Sequence, residues 1–166
     1  MHKGIHNQKG GYSLVETLFY ISLFIVITLA VINSLITMTK AFRETTVQAD
    51  LTQSSTIMER ISREIRQANG ISYISATDLK LTSQDENDNA QTVEFFLSGT
   101  NLQLLINDVL VGNLNTGNIE VTSVNFTQIV TAVGNAVRVE LSVRSARDNN
   151  LRVENFYDTV VLRGNY

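Results

Sequence analysis

Apolar residues are concentrated in one unbroken run near the start of the chain, from residue 14 to residue 38. Glu16 is the one charged side chain in this run, and the run contains neither Gly nor Pro. A helix rises about 1.5 Å per residue, so the run would extend roughly 37 Å and cross the hydrocarbon core of a bilayer. We therefore predict a transmembrane helical segment over residues 12–38.

The spacing of apolar residues becomes amphipathic after residue 38. Between residues 39 and 69 they recur at helical spacing on one face, at Val47, Leu51, Met58, Ile61, Ile65 and Ala68. No Gly or Pro interrupts residues 12–69, and Asn69-Gly70 is a helix-stop signal. The pattern predicts a single long helix, with an apolar first half and a second half that packs on the domain that follows.

Residues 70–166 change to the period-two alternation that is typical of β-strands. Turn signals at 98–101, 107–108, 115–118, 134–135 and 148–150 separate the runs. The runs are 71–74, 78–82, 92–97, 101–106, 109–111, 119–126, 136–143 and 153–162. We predict an α+β fold in which the long N-terminal helix packs on an antiparallel β-sheet domain, with Phe95, Phe96, Phe156 and Tyr157 in the sheet core.

The composition excludes several classes of site. The chain has no cysteine, and both histidines, His2 and His6, precede the apolar run. Disulfides, thiolate metal sites and His- or Cys-dependent nucleophiles are therefore not expected after residue 11. The net charge is −3, and an acidic chain is a poor ligand for phosphate backbones, so no nucleic-acid partner is expected. We expect no enzymatic activity.

Glu16 is the candidate functional residue of the apolar run. A lone carboxylate in lipid costs on the order of a few kcal/mol, so a charge at this place needs a partner. The obvious partner is a free α-amino group at Tyr12, which would exist if the chain were cut after Gly11. The alternative is an incidental Glu that reaches the water at the membrane surface.

The chain resembles type IV pilins and type II secretion pseudopilins in the segment Lys9-Gly10-Gly11-Tyr12-Ser13-Leu14-Val15-Glu16 and the apolar run after it. The resemblance implies a pilin-like fold, with residues 1–11 as a leader that a prepilin peptidase removes between Gly11 and Tyr12. It implies N-methylation of Tyr12, here in place of the usual Phe or Met. It also implies that Glu16, the fifth mature residue, pairs with the N-terminal amine of a neighbouring subunit. A plain signal-anchor helix is the alternative reading of the same segment.

Segments 58–67, 121–126, 136–141 and 159–164 are most like those of J-type minor pseudopilins. This resemblance implies a minor subunit that joins other pilin or pseudopilin subunits, at the filament tip. The inner-membrane assembly platform and membrane lipid are the further partners. The basic leader residues Lys3 and Lys9 place the leader in the cytoplasm, so the expected protein is a single-pass inner-membrane protein with a periplasmic or extracellular domain. The alternative function is a surface-exposed binding pilin, either an adhesin or a DNA-uptake subunit.

Two clusters of charged residues are further candidates for binding sites, one for calcium and one for DNA. The acidic segment 85–89 could bind calcium through Asp85 and Asp88, although a solvated loop is the simpler interpretation, and residues 148–150 are interpreted in the same way. The second cluster, in the last third of the chain, comprises Arg138, Arg144, Arg147 and Arg152. We expect cross-strand ion pairs with Glu140, Glu154 or Asp158 there, and not a DNA-binding patch.

Overall fold

The structure, a computed structural model, describes residues 13–131 and 134–163. The predicted leader and Tyr12 lie outside these residues. The chain divides into two compact units, Met1–Phe42 and Arg43–Tyr166. The described residues form one α-helix and eight β-strands.

The helix α1 (Leu14–Gln67) has 54 residues, which confirms the prediction of one continuous helix. The stop at Asn69-Gly70 is also confirmed, because the Asn69 amide leaves the helix and donates to the Thr82 carbonyl at 2.8 Å. Gly70 does not have the positive φ of a helix-capping glycine. A Cβ at Gly70 would lie 3.3 Å from Thr82 Oγ1, so a close approach between two strands explains this glycine.

The predicted buried face of α1 is confirmed within the Arg43–Tyr166 unit. Val47, Met58, Ile61, Ile65 and Ala68 are buried there, and Leu51 packs against the core partly buried. The period of 3.6 residues brings these side chains to one side, as the spacing predicts. The second part of α1 is therefore a cover for the β-rich part of the chain.

Two antiparallel sheets make up the rest of this unit. The first is a meander with the order β1-β2-β3-β4-β5, and the second has the order β6-β7-β8. The strands are β1 (Gly70–Ile74), β2 (Asp78–Gln84), β3 (Ala90–Ser98), β4 (Asn101–Ile106), β5 (Val109–Asn113), β6 (Ile119–Thr131), β7 (Gly134–Ser145) and β8 (Glu154–Val161). Seven of the eight predicted runs lie within one of these strands, the run 153–162 extends one residue beyond β8 at each end, and the coarse α+β class is confirmed.

Two tight turns follow the sequence signals. Asn107 and Asp108 both have positive φ, 51° and 65°, and they form the two-residue turn between β4 and β5. Gly99 has φ 62° between β3 and β4, where an added Cβ would meet nothing within 4 Å. Backbone conformation, and not lack of space, therefore favours glycine at this position.

One hydrophobic core joins α1 and both sheets, and it includes Ile61, Phe95 and Val139. The expectation for the aromatic residues is only partly correct. Phe95 is fully buried and Phe156 is partly buried, but Phe96 is 39% exposed and Tyr157 is 66% exposed. Neighbouring residues of a strand face opposite sides, so Phe95 and Phe96 cannot both enter the core.

Polar contacts fix the helix to the second sheet. The Ser145 hydroxyl donates to the buried Asp50 carboxylate at 2.7 Å, and the Ser62 hydroxyl donates to Asp158 at 2.5 Å. Buried polar groups without a partner are costly, so these two bonds restrict where α1 can lie on the sheet. They join residues that are far apart in the sequence.

Candidate functional site

Glu16 lies in the first turn of α1, where the positive end of the helix dipole favours a carboxylate. The first helical hydrogen bond runs from the Thr17 amide to the Ser13 carbonyl at 3.1 Å. The Tyr20 hydroxyl donates to Glu16 Oε1 at 3.3 Å. Among the described residues Glu16 has no ion-pair partner, so an exposed carboxylate is left for an external group.

The apolar surface that follows Glu16 surrounds the helix on all sides. Seventeen large hydrophobic side chains between Leu14 and Met38 are 47–80% exposed. By length and composition, α1 is the one helix in the described part of the chain that could cross a membrane, with a mean hydropathy of 2.4 over its best window. A helix that is hydrophobic on every side needs lipid or neighbouring helices around it.

Most hydroxyls in this apolar segment are satisfied within the helix. Thr28, Thr37 and Thr39 donate to the carbonyl four residues earlier at 2.8–2.9 Å. Such bonds make a hydroxyl tolerable in lipid because no donor is left without a partner. The Asn33 side chain, by contrast, has no hydrogen bond within residues 13–131 and 134–163, and an amide in this setting is suited to a contact with another helix.

The cleavage residues Gly11 and Tyr12 lie outside the described residues, so the pair that Glu16 would form stays a prediction. The candidate calcium ligands Asp85 and Asp88, by contrast, lie among the residues that the structure describes. Asp85 Oδ1 accepts the amides of Asn87 and Asn89, both at 2.8 Å, and Oδ2 accepts the Asn89 side chain at 3.0 Å. These bonds lower the pKa of Asp85, with the Asn89 side chain as the main cause.

Asp85 is therefore the acceptor that shapes the turn between β2 and β3, and Asp88 in that turn has φ 61°. In the described part of the chain, no group of three or more His, Cys, Asp or Glu residues could hold a metal ion. We assign a turn-forming role to the Asp85 carboxylate.

Three of the four clustered arginines of the last third are ion-paired, and one of the expected partners, Glu140, is among the carboxylates that they contact. Arg144 pairs with Glu120 on the neighbouring strand at 2.6 Å. Arg138 pairs with Glu140 on its own strand at 2.8 Å. Cross-strand pairing with Glu154 or Asp158 is wrong for these arginines, because Glu120 lies directly opposite Arg144 in the β6–β7 register.

Arg152 is the centre of a three-residue cluster that joins α1 to the loop between β7 and β8. Its guanidinium contacts both Glu44 oxygens, at 2.7 and 3.0 Å, and its Nε donates to Asp148 at 2.8 Å. Asp148 also accepts the amides of Asn150 and Arg152, both at 3.1 Å. The hydrogen bond from the Arg152 side chain is the main cause that lowers the pKa of Asp148 to about 2, and Arg152 lowers the pKa of Glu44 as well.

This cluster predicts a pH-dependent contribution of Asp148 to stability. The pKa of Asp148 is about 2 when folded, below the value of about 3.9 for an unfolded Asp. The stabilising contribution is therefore complete above pH 4 and is lost as the pH falls through 2. We expect Asp148→Asn to lower the melting temperature of the detergent-solubilised chain at pH 7, and the difference from wild type to shrink between pH 4 and pH 2.

A matched control is Glu86→Gln, which neutralises an exposed carboxylate in the turn between β2 and β3. Its melting temperature should follow that of the wild type at every pH. Circular dichroism melts at pH 7, 5, 4, 3 and 2 would measure both differences. A difference for Asp148→Asn that stays constant from pH 7 to pH 2 would contradict the contribution of its charge.

Several surface depressions lie along the second part of α1 in the described residues. One lies between α1 and the segment after β5 and is lined by a single carboxylate, Glu59, together with Arg60 and Arg63. Residues 13–131 and 134–163 contain neither His nor Cys. The exposed apolar segment 14–38 of α1, in which Glu16 is the one carboxylate, is the best-defined candidate site in the described part of the chain.

Sequence reasoning missed three polar residues on the buried face of α1: Asp50, Ser54 and Ser62. Their spacing places them in line with Val47, Ile57 and Ile61, so the helical period could have found them. It also missed the Glu44–Arg152–Asp148 cluster, for which the sequence offers no local signal, because Glu44 and Arg152 are 108 positions apart. No protein-family model, curated protein or solved structure matches this chain.

Proposed function

We propose that this chain is a pilin-like subunit that a prepilin peptidase cuts after Gly11 and that assembles through its N-terminal helix. The product is a type II secretion pseudopilus or a type IV pilus. The observation that carries the proposal is the exposed apolar part of α1, with Glu16 in its first turn and no ion-pair partner for Glu16 among the described residues. Cleavage would place a new α-amino group four residues before this carboxylate.

The electrostatics of assembly support this role. A cationic amine and a carboxylate are each costly in lipid, and the cost falls when the two charges pair. Pairing within one chain would satisfy both charges without joining two subunits. Pairing between neighbouring subunits instead fixes the axial register of one helix against the next. The Asn33 amide offers a second polar contact further along the same surface.

The continuous helix supports the mechanical side of the proposal. In the membrane, the apolar side chains of residues 14–38 contact lipid, and in the filament they contact the helices of other subunits. The inner-membrane assembly platform would extract the subunit between these two states. The part of the chain after Arg43, with its covered helix face, is then presented to the periplasm or the cell exterior as a single-pass protein.

The J-type resemblance favours a minor subunit at the filament tip. The alternative of a DNA-uptake pilin requires a patch of several free arginines in the last third of the chain, but three of the four clustered arginines there, Arg138, Arg144 and Arg152, are engaged in ion pairs. Paired arginines bind phosphate poorly because the carboxylate already neutralises them. We therefore favour filament assembly over binding of nucleic acid.

The first test is the intact mass of the protein purified from its native membrane, together with N-terminal sequencing. We expect the chain to begin at N-methylated Tyr12. Cells that lack the prepilin peptidase provide the control and should yield a chain that begins at Met1. A chain that begins at Met1 in cells with an active peptidase would overturn the proposal and leave α1 as a plain anchor.

A further inference from the structure

We propose that Arg43 and Arg147 form a binding site for the phosphate of a membrane lipid on the outer face of the bilayer, with Leu151 and Val153 as the adjoining apolar contact. This inference rests on the membrane insertion that the proposed function requires. It adds a second contact between the protein and the membrane, made by the folded unit and not by the apolar helix.

Arg43 and Arg147 come from distant parts of the sequence but line the same surface depression, together with Thr46. In residues 13–131 and 134–163, neither arginine has an ion-pair partner, in contrast to Arg138, Arg144 and Arg152. Two cations that share a depression repel each other, and an anion between them removes this repulsion. A phosphate fits this role, since arginine donates two parallel hydrogen bonds to its oxygens.

The position of Arg43 along α1 identifies the phosphate as that of a lipid. The apolar run ends at Met38, and Arg43 follows five residues later in the same helix. At about 1.5 Å per residue this is roughly 7 Å, which matches the headgroup layer of about 5–8 Å on each side of the hydrocarbon core. A helix that spans the bilayer therefore holds Arg43 at the level of the lipid phosphates.

The loop between β7 and β8 is attached to α1 on both sides of its exposed tip. At one side, Ser145 Oγ donates to Asp50 and accepts the amide of Arg147 at 3.2 Å. At the other side, the Arg152 guanidinium holds Glu44. The loop is thus fixed at the level of Glu44, one residue beyond Arg43.

Between these attachments the loop presents apolar side chains to solvent. Leu151 is 61% exposed and Val153 is 49% exposed. Leu151 also has φ 52°, a conformation that branched side chains rarely adopt. An exposed leucine held at an unfavourable φ is understandable if the side chain is needed outside the protein core.

The carboxylates near Arg43 and Arg147 have other partners, so both arginines can bind a phosphate. The carboxylates in the same segments are Glu44, Asp50 and Asp148. Arg152 pairs with both Glu44 and Asp148, which leaves one net negative charge on that cluster, and Asp50 is buried against Ser145. The net charge of the whole chain is −3, so a general attraction to an anionic membrane is not expected. A local site is therefore needed to hold this end of the unit on the lipid.

The absence of tryptophan from the chain makes a direct test possible. We would insert single tryptophans into the full chain by Leu151→Trp, Val153→Trp, Tyr73→Trp and Phe24→Trp. Each variant would be reconstituted into vesicles of phosphatidylethanolamine and phosphatidylglycerol whose acyl chains carry bromine, a short-range quencher. Tyr73 is a matched aromatic control because its side chain is exposed in β1. The strand β1 begins just after α1 ends, and the end of α1 is about 36 Å from Arg43 at the helical rise.

We expect Phe24→Trp to be strongly quenched, Leu151→Trp and Val153→Trp to be clearly quenched, and Tyr73→Trp to be unaffected. Adding Arg43→Gln and Arg147→Gln to Leu151→Trp should lower the ratio of docked to undocked loop by about thirtyfold, as expected when two cations leave an anionic surface. Melting curves should show that this double replacement leaves the fold intact, because neither arginine has an ion-pair partner in the described part of the chain.

The remaining outcomes separate the two proposals. Quenching of Phe24→Trp without quenching of Leu151→Trp and Val153→Trp would overturn the lipid site and leave membrane insertion standing. No quenching of Phe24→Trp would overturn both. Quenching of the loop that disappears when inorganic phosphate is added would assign the arginines to a free anion and overturn the lipid source. Quenching that the arginine replacements do not change would overturn their role.

Discussion

Replacement of Glu16 by Gln is expected to reduce incorporation of the chain into filaments by about tenfold to a hundredfold. The α-amino group of a docking subunit would then enter the apolar environment without a counter-charge. A single charge in lipid costs about 3 kcal/mol, which corresponds to roughly a hundredfold in an equilibrium constant. Gln has nearly the same shape as Glu and can still accept the Tyr20 hydroxyl, so the change removes the charge alone.

The measurement is the fraction of the chain recovered in sheared filaments relative to the membrane, in cells that produce the partner subunits. Glu16→Asp should restore part of the incorporation, because it returns the charge on a shorter side chain. Tyr20→Phe is the matched control, since it removes the hydroxyl that contacts Glu16 Oε1 and leaves the carboxylate. Equal incorporation of wild type and Glu16→Gln would sink the charge-pair mechanism.

Insertion into the membrane should survive the Glu16→Gln change. The remaining apolar side chains of residues 14–38 are unaltered, and the loss of a favourable helix-dipole contact costs only about 0.3–1 kcal/mol. Carbonate extraction of membranes would therefore give the same membrane-bound fraction for both proteins. A combined loss of insertion and assembly would indicate a general effect on the helix and not a specific effect on pairing.

Replacement of Phe95 by Ala is expected to destabilise the Arg43–Tyr166 unit by about 3–5 kcal/mol, the usual range for a buried aromatic residue. Phe95 is fully buried in β3, where it lies opposite Leu79 on β2 and Leu104 on β4. The three side chains belong to the core that joins both sheets and α1. Truncation would leave a cavity in a closely packed region, and the neighbouring strands are tied by their hydrogen bonds and cannot close it.

The matched control is Phe96→Ala, one residue away on the opposite side of β3. Phe96 is 39% exposed, so we expect its truncation to cost much less, about 1 kcal/mol or below. Denaturant unfolding of the detergent-solubilised chain, followed by the near-ultraviolet circular dichroism of its tyrosines, would measure both changes. Equal destabilisation by the two replacements would contradict the assignment of Phe95 to the core.

The contrast between Phe95 and Phe96 shows which features of the core can be predicted from the sequence pattern and which cannot. Both were expected in the core, yet strict alternation allows only one of two neighbours to face inward. The residues that pack beside Phe95 determine that Phe95, and not Phe96, faces the core. Leu79, Leu81 and Val93 share the buried face of the first sheet, and the register that aligns them with Phe95 sets the inward side.

The ion pairs of the arginines depend on strand register, which local sequence patterns do not contain. Arg144 pairs with Glu120 because the two residues are opposite in the β6–β7 register, which shifts at a bulge between Val121 and Ser123. A shift of one residue changes which side chains face each other along a strand pair. The register depends on the packing of both sheets, so no count of charges along the chain could have selected Glu120.

The helix and the strands could be predicted from the order of residues, because helix and strand periods are local properties of the chain. The unbroken apolar run, the absence of Gly and Pro up to residue 69 and the position of Glu16 followed directly from the order of residues. The contacts between distant segments followed from the tertiary structure. It placed Arg147 beside Arg43 and joined Arg152 to Glu44, since these meetings depend on how the sheets fold back onto α1.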